Sequence, residues 1–292
     1  MIETEEQLEE HFSRPFDEFA KTVLSRSLSD SDVVISTFPK CGTTWCGQIA
    51  QGIRSNGDVT FANLGEVMPW LEMGHIFDHD VNQKQLWQPS LYKSHMQLSE
   101  LPRGAKVINI IREPGDVLMS YYNFWSNTVI DPAKISIEML AERIFFSDHS
   151  KGPRNMFSLN YYQHIVDFHE LDYDGPVLFL AYEDMKLNLP AAARRIARFM
   201  DIDLSKTRER LVVEQATIGF MSRHRDKFSE QLPGQGAQGA VMEMVKTGRV
   251  GDSADGLSDD LKSDLLEGWQ QYVTPQLGYR NYAELRAAIS LN

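Results

Sequence analysis

Lys40 sits at the centre of the residues best placed to hold an anion, in Val33-Val34-Ile35-Ser36-Thr37-Phe38-Pro39-Lys40-Cys41-Gly42-Thr43-Thr44-Trp45. A short apolar run ends at Pro39, Lys40 and Gly42, and Thr43 and Thr44 then open an amphipathic segment. That is the pattern of a buried strand, a tight loop and a helix start. Such a turn aims unpaired backbone N–H groups and the positive end of a helix dipole at one point, where negative charge is favoured. Lys40 adds a full positive charge, and Thr43 and Thr44 add hydroxyl donors. The order is not a Walker A motif, because the Lys precedes a single Gly instead of following one. Cys41 invites a phosphatase thiolate, yet no Arg occurs from Cys41 to Gln48 to close the loop. Cys41 therefore reads as a small loop residue and Cys46 as helix packing.

Two further groupings carry chemistry. Arg112, Asp116 and Ser120 recur every four residues, so a helix opening near Pro114 places Asp116 and Ser120 on one face with Arg112 just before it. An Arg fork and a Ser hydroxyl suit phosphate oxygens. A plain Arg–Asp pair beside a packing Ser accounts for the same spacing. In Lys93-Ser94-His95, alternate residues of a strand share a face, so Lys93 and His95 can enter one cleft. A His beside a fixed cation is a sensible general base, because the cation disfavours the protonated ring; a hydrogen-bonded structural His fits equally. His75 and His79 with Asp78 and Asp80 imitate a metal site but lack a third His or Cys at useful spacing, and read as solvated loop residues. Arg223-His224-Arg225-Asp226-Lys227 reads as a solvated face, and Lys246-Thr247-Gly248-Arg249-Val250-Gly251-Asp252 as backbone close to an anion or a mobile lid.

The elements that must position these residues alternate between buried strand and helix. Strands are expected at 33–37, 91–95, 106–111 and 176–183, and helices at 4–28, 43–55, 117–121, 135–147, 157–170, 190–200, 206–214, 258–272 and 281–290, with 56–89 less regular. Continuous apolar strands predict an α/β fold, a single domain over residues 1–292 with a central, mostly parallel sheet flanked by helices. In such sheets ligands sit at the C-terminal strand ends, where Lys40, His95, Arg112 and Tyr182 all fall. The 292 residues are 42% hydrophobic and 24% charged, with a formal net charge of −12, which argues against a general nucleic-acid surface. Two cysteines, no signal-peptide layout and no long apolar run suit a cytoplasmic protein without membrane insertion.

Together these residues resemble the cytosolic-type sulfotransferases, which use 3′-phosphoadenosine 5′-phosphosulfate (PAPS) and release 3′-phosphoadenosine 5′-phosphate (PAP). The resemblance runs over about residues 31–262 in the family's order. Thr37–Trp45 is similar to the P-loop-like 5′-phosphosulfate loop Thr-Tyr-Pro-Lys-Ser-Gly-Thr-Thr-Trp. Arg112, Asp116-Val117 and Ser120-Tyr121-Tyr122 match the 3′-phosphate segment, and Lys93-Ser94-His95 the Lys-Thr-His element of the catalytic His. Tyr182-Glu183-Asp184-Met185-Lys186 matches the segment whose Tyr, with Trp45, reaches adenine, and Lys246-Thr247-Gly248 resembles the late Arg-Lys-Gly signature.

The resemblance implies in-line transfer to a small-molecule hydroxyl or amine. His95 is the implied base, Lys40 the partner of the departing phosphate oxygen, and Lys93 the partner of the sulfuryl oxygens. Backbone N–H groups of Gly42, Thr43, Thr44 and Trp45 hold the 5′-phosphate, and no metal is implied. Departures are Cys41 for Ser, Ala216 and Ile218 for the adenine-contacting Thr and Phe, Thr247 for the second late basic residue, and Ser253 for Trp. The family dimer motif is not matched, with Ala254 at its first position, so the oligomeric state is open. Phe38, Met68, Trp70, His75, Phe77, Phe124, Trp125 and Phe146 are candidates to line an acceptor pocket suited to an aromatic or apolar compound. Two rivals are a P-loop nucleotide or small-molecule kinase, with Glu183 or Asp184 on Mg²⁺, and a non-catalytic nucleotide-binding scaffold.

Overall fold

The computed structural model describes residues 1–12, 27–147, 160–170, 172–231, 241–242 and 250–291. Helix α1 spans Glu5–Phe12. Strand β1 (Val33–Ser36) leads through the Lys40 loop into α2 (Thr43–Ser55). Strand β2 (Leu91–Ser94), β3 (Lys106–Ile111) and α3 (Pro114–Ser126) follow. Next come α4 (Tyr161–Glu170), β4 (Val177–Ala181), α5 (Tyr182–Leu187), α6 (Leu189–Phe199) and α7 (Lys206–Gln215). A short antiparallel pair, β5 (Glu230–Gln231) and β6 (Val241–Met242), precedes α8 (Asp252–Gly256), α9 (Asp259–Leu277) and α10 (Tyr282–Leu291).

Strands β1 to β4 form one parallel sheet in the order β2-β1-β3-β4. Parallel neighbours need crossovers, and the intervening helices supply them while burying both faces. Alternate strand residues serve opposite faces. Ile35, Ile108, Ile110 and Leu180 pack with α2, α6 and α7 through Ile49, Ile53, Ala193, Ile196 and Val212. On the other side Ile111 and Ala181 join Val117, Tyr121, Tyr161, Ile165 and Trp269 of α3, α4 and α9. Val34 and Val107 belong to a third cluster with Tyr92, Leu98 and Phe168.

The irregular stretch 56–89 is held from within. Arg54, only 7% exposed, donates to the carbonyls of Val67, Trp87 and Pro89 and to the side chains of Gln51 and Gln85. Pro69 and Leu71 bond with Lys93 at 3.0 and 2.9 Å, adding a one-bridge extension beside β2. This extension brings Trp70 and Glu72 to the end of that strand.

Several boundaries differ from expectation. The strand expected over 176–183 stops at Ala181, and Tyr182 begins α5, with Glu183 and Asp184 in its positive first turn. The helix expected to open near Pro114 and run through 117–121 does start at Pro114, whose missing N–H costs nothing at N1, but continues to Ser126; Glu113 caps it by accepting from Asp116 N–H at 2.7 Å. The helix expected over 135–147 is α-helical at Ile137–Ala141 and π-helical at Glu142–Phe146. The expected helix 4–28 is observed as α1; Phe16, Phe19, Val23 and Leu24 lie outside the described residues, as do 157–159 of the expected helix 157–170. No helix among the described residues is long and apolar enough to cross a membrane.

Candidate active site

Register alone gathers the site. Ser36 pairs with Ser94, which sets His95 level with Thr37, and Ile111 pairs with Ala181, which sets Arg112 level with Tyr182. His95, the Lys40 loop, Arg112 and Tyr182 therefore stand in strand order along one sheet edge. Three inter-strand steps separate the ends of the row, about 14 Å at ~4.8 Å per step.

The loop between β1 and α2 is built on two left-handed residues. Lys40 has φ +71° and Gly42 φ +107°. A Cβ on Gly42 would meet the Tyr182 ring at 2.9 and 3.2 Å, so glycine is required there by both backbone and neighbour. A non-glycine residue held left-handed, as Lys40 is, marks a conformation imposed by its surroundings. Thr37 Oγ1 donates to the Phe38 carbonyl at 2.9 Å and accepts from Thr43 Oγ1 at 2.6 Å, tying the strand end to the helix start. The first-turn N–H groups of Thr43, Thr44 and Trp45 have no intrahelical acceptors, and Gly42 supplies no side-chain cap for them. The Cys41 thiol is fully buried among Tyr161, Arg112 and Glu183, burial pushes its pKa up, and its N–H bonds to the Phe38 carbonyl at 3.3 Å.

Lys40 Nζ lies 4.3 Å from the centre of the Phe124 ring. Lys93 Nζ lies 3.7 Å above the Trp70 ring and 3.8 Å from Glu230 Oε1. Burial lowers the Lys93 pKa, with Glu230 and Glu72 opposing. His95 is 8% exposed, and its Nδ1–H donates to the Thr37 carbonyl at 2.8 Å, which leaves Nε2 as the lone-pair nitrogen. Its backbone N–H donates to Glu72 Oε1 at 2.7 Å, and its ring meets Trp70 edge-on at 5.0 Å. Burial first, then Lys93, hold the His95 pKa well below the ordinary imidazole value; Lys40 contributes in the same direction. The ring is thus neutral and oriented, as a base must be.

Arg112 donates to the Lys40 carbonyl at 3.2 Å, stacks on Tyr182 at 4.5 Å and faces Asp116 at 3.7 Å. Ser120 follows one turn later on α3, half-buried. The plain Arg–Asp pairing is present, but Asp116 does more. Its two oxygens accept from Gly251 N–H at 2.8 Å and Ser253 N–H at 3.0 Å, which ties α3 to the start of α8. Trp45 meets Tyr182 at 5.3 Å and donates its Nε1–H to the Ala216 carbonyl at 2.7 Å, a bond the Ala side chain leaves undisturbed. Lys246, Thr247 and Gly248 lie outside the described residues.

The remaining candidates divide between expectation and departure. His75 is exposed, whereas His79 is half-buried, and among the described residues no group of three or more His, Cys, Asp or Glu could hold a metal ion. In the basic cluster, Lys227 donates to the Phe61 carbonyl at 2.6 Å and is not merely solvated. Glu183 accepts from Glu113 N–H at 3.0 Å and from the Tyr282 hydroxyl, while Asp184 pairs with Arg286 and Ser290. Both carboxylates are engaged in joining α10 to the sheet, which removes the Mg²⁺ ligands the kinase reading needs. Phe38 and Trp125 sit in an aromatic core, while Trp70 and Phe124 reach the two lysines. Thr37, Glu72 and Glu230 were not singled out as site residues by pattern, and no local signal in the chain marks them.

A parallel sheet with an anion loop after its first strand, an Arg and an aromatic after two others, and an oriented neutral His defines a phosphoryl- or sulfuryl-group transferase of P-loop-like form. Comparison specifies which. Residues 30–278 match the sulfotransferase domain. The chain is 29% identical over 231 residues to sulfotransferase 1A1 of Mus musculus, covering 76% of this chain and 77% of that one. It is 29% identical over 246 residues to the amine sulfotransferase of Oryctolagus cuniculus, covering 77% and 75%. Its fold is similar to a retinol dehydratase in complex with androsterone and inactive cofactor PAP, with a TM-score of 0.68, 15% identity, and 90% and 87% coverage. It is also similar to mouse sulfotransferase SULT7A1 complexed with PAP, with a TM-score of 0.63, 14% identity, and 96% and 95% coverage. The chain belongs to the sulfotransferase domain family. It is a sulfotransferase, of the class that draws its sulfuryl group from PAPS, and the kinase alternative is set aside.

Proposed function

We propose that this chain, working as one domain, transfers the sulfuryl group of PAPS to a hydroxyl or amine of a small-molecule acceptor, with His95 as general base. The observation that carries the reading is the His95 ring, neutral and locked to the Thr37 carbonyl at 2.8 Å at the edge of the Lys40 loop. Bound PAPS supplies the sulfuryl group and, in PAP, the leaving phosphate.

The residues present fit that molecule. Gly42 leaves a cradle that a Cβ would fill, the Thr43–Trp45 amides would hold the 5′-phosphate, and Arg112 with Ser120 would suit the 3′-phosphate. Trp45 and Tyr182 offer faces to the base. Nε2 of His95 takes the acceptor's proton as its oxygen or nitrogen turns toward sulfur. Lys40 would offset negative charge on the leaving phosphate oxygen, and Lys93 would hold the sulfuryl oxygens. Lys40 needs only side-chain rotation to leave the Phe124 face, since its backbone is already fixed by the loop.

His95→Ala should abolish sulfuryl transfer while a thermal-shift titration with PAP stays within about twofold of wild type, because His95 serves the acceptor and not the donor. Undiminished turnover in that variant removes His95 from the mechanism.

A further inference from the structure

Glu230 belongs to none of the motifs above, yet the residue is 8% exposed and its carboxylate lies beside Lys93 of the site. It lines one small cavity together with Lys93, Thr44 of the anion loop, Asn63, Gly65 and Met68. The His79 ring lies against Gly65, one of the residues lining that cavity, and its buried Nδ1 has no hydrogen-bond partner. His79 responds to both charges: burial lowers its pKa most, Glu230 raises it and Lys93 lowers it.

The charges do not balance once the site is in use. At rest Lys93 and Glu230 offset one another at 3.8 Å. A sulfuryl group drawn to Lys93 adds a negative charge, so sulfuryl and carboxylate then share one cation in a buried setting, where like charges repel strongly. Lys40 is directed to the departing phosphate oxygen and cannot serve both places. A second cation entering with the remaining reactant restores the balance.

We propose that Glu230 selects acceptors carrying a protonated amine in addition to the hydroxyl that is sulfated, with the ammonium docked between Glu230 and His79. The inference rests on the sulfuryl-transfer reading and on Lys93's place in it. The ammonium restores neutrality beside Lys93, and the unpartnered His79 Nδ1 accepts one of its hydrogens. The amine is an anchor and not the nucleophile: the hydroxyl oxygen bonds sulfur, its proton passes to His95, and the sulfur–oxygen bond to PAP breaks. The chain's net charge of −12 favours the approach of such cations.

The test compares tyramine with 4-ethylphenol, which share a phenol and differ in the ammonium, on the full chain and on Glu230→Gln and Glu230→Asp. Wild type should prefer tyramine in kcat/KM by about tenfold or more, Glu230→Gln should erase that preference chiefly through KM for tyramine, and Glu230→Asp should retain it. The Kd for PAP should stay within about twofold throughout, and NMR titration of the PAP-loaded protein should show the same tyramine preference without turnover. Equal use of the two phenols by wild type overturns the proposal, as does an equal loss for both in Glu230→Gln, which would place Glu230 behind Lys93 alone. Selective tyramine binding with no sulfuryl transfer would instead overturn the transfer reading and leave the charge selection standing.

Discussion

Asp116→Ala offers the most direct test of how the proposed 3′-phosphate side of the site is assembled. Asp116 is 1% exposed and accepts from Gly251 N–H at 2.8 Å and Ser253 N–H at 3.0 Å, with the Arg112 guanidinium at 3.7 Å. Hydrogen bonds to a charged group contribute roughly 1.5–3 kcal/mol each. Gly251 is exposed and Ser253 half-buried, so water can replace the lost acceptor and the lower end applies, about 3 kcal/mol for the two. Arg112, 7% exposed, loses a counter-charge but keeps the Lys40 carbonyl and the Tyr182 ring. That loss adds about 1 kcal/mol, well under the cost of a fully unpartnered buried charge. The total of about 4 kcal/mol corresponds to a fall in Tm of roughly 6 °C for a chain of 292 residues. Arg112 should also lose its aim, so the preference for PAP over adenosine 5′-phosphate, which lacks the 3′-phosphate, should drop by about tenfold in calorimetric Kd. Asp116→Asn keeps one acceptor oxygen and should fall about halfway on both measures. A Tm within about 2 °C of wild type together with an unchanged nucleotide ratio would refute the clasp.

Two other perturbations follow from the same geometry. Gly42→Ala places a Cβ at 2.9 Å from the Tyr182 ring in a left-handed residue, so stability should fall by about 2 kcal/mol and PAP affinity by about tenfold or more, read by thermal melting and calorimetry. Burial pushes His164 down to a pKa of about 3, with His169 adding to the shift, while the unfolded chain titrates near 6.5. The unfolded state therefore takes the proton first as pH falls, and stability drops from about pH 6.5 downward, by about 2 kcal/mol from this group at pH 5. His164→Phe, between Phe38 and Phe168, should remove that part of the acid slope, so the stability difference should shift by about 2 kcal/mol in the variant's favour between pH 7 and pH 5 in urea melts; parallel pH profiles would contradict it.

The sequence by itself determined the elements that local physics dictates. Short β-branched runs at Val33–Ile35 and, around Asn109, at Val107–Ile111, each ended by turn residues, read as buried parallel strands, and the turn at Lys40–Thr44 carries its anion preference in residue type alone. Ordered motifs also carried the family resemblance, because binding residues recur at spacings the chain keeps. Where a strand passes directly into a helix, as at Tyr182, the boundary slipped, since Leu180-Ala181-Tyr182 is equally apolar on both sides of the turn.

Only the tertiary structure decided who stands beside whom. The order β2-β1-β3-β4 sets His95 against Thr37, a pairing 58 residues apart that fixes which imidazole nitrogen is basic. Glu72 behind His95, Asp116 beneath Gly251 and Ser253, and Glu230 across from Lys93 at 3.8 Å are contacts between segments remote in the chain. Periodicity reports only the environment of a residue's own helix or strand, whereas a charge or a proton responds to whatever lies within a few ångströms. The kind of chemistry was therefore legible from residue types, and its tuning was settled by the packing of β2 against β1 and of the Glu230 segment against Lys93.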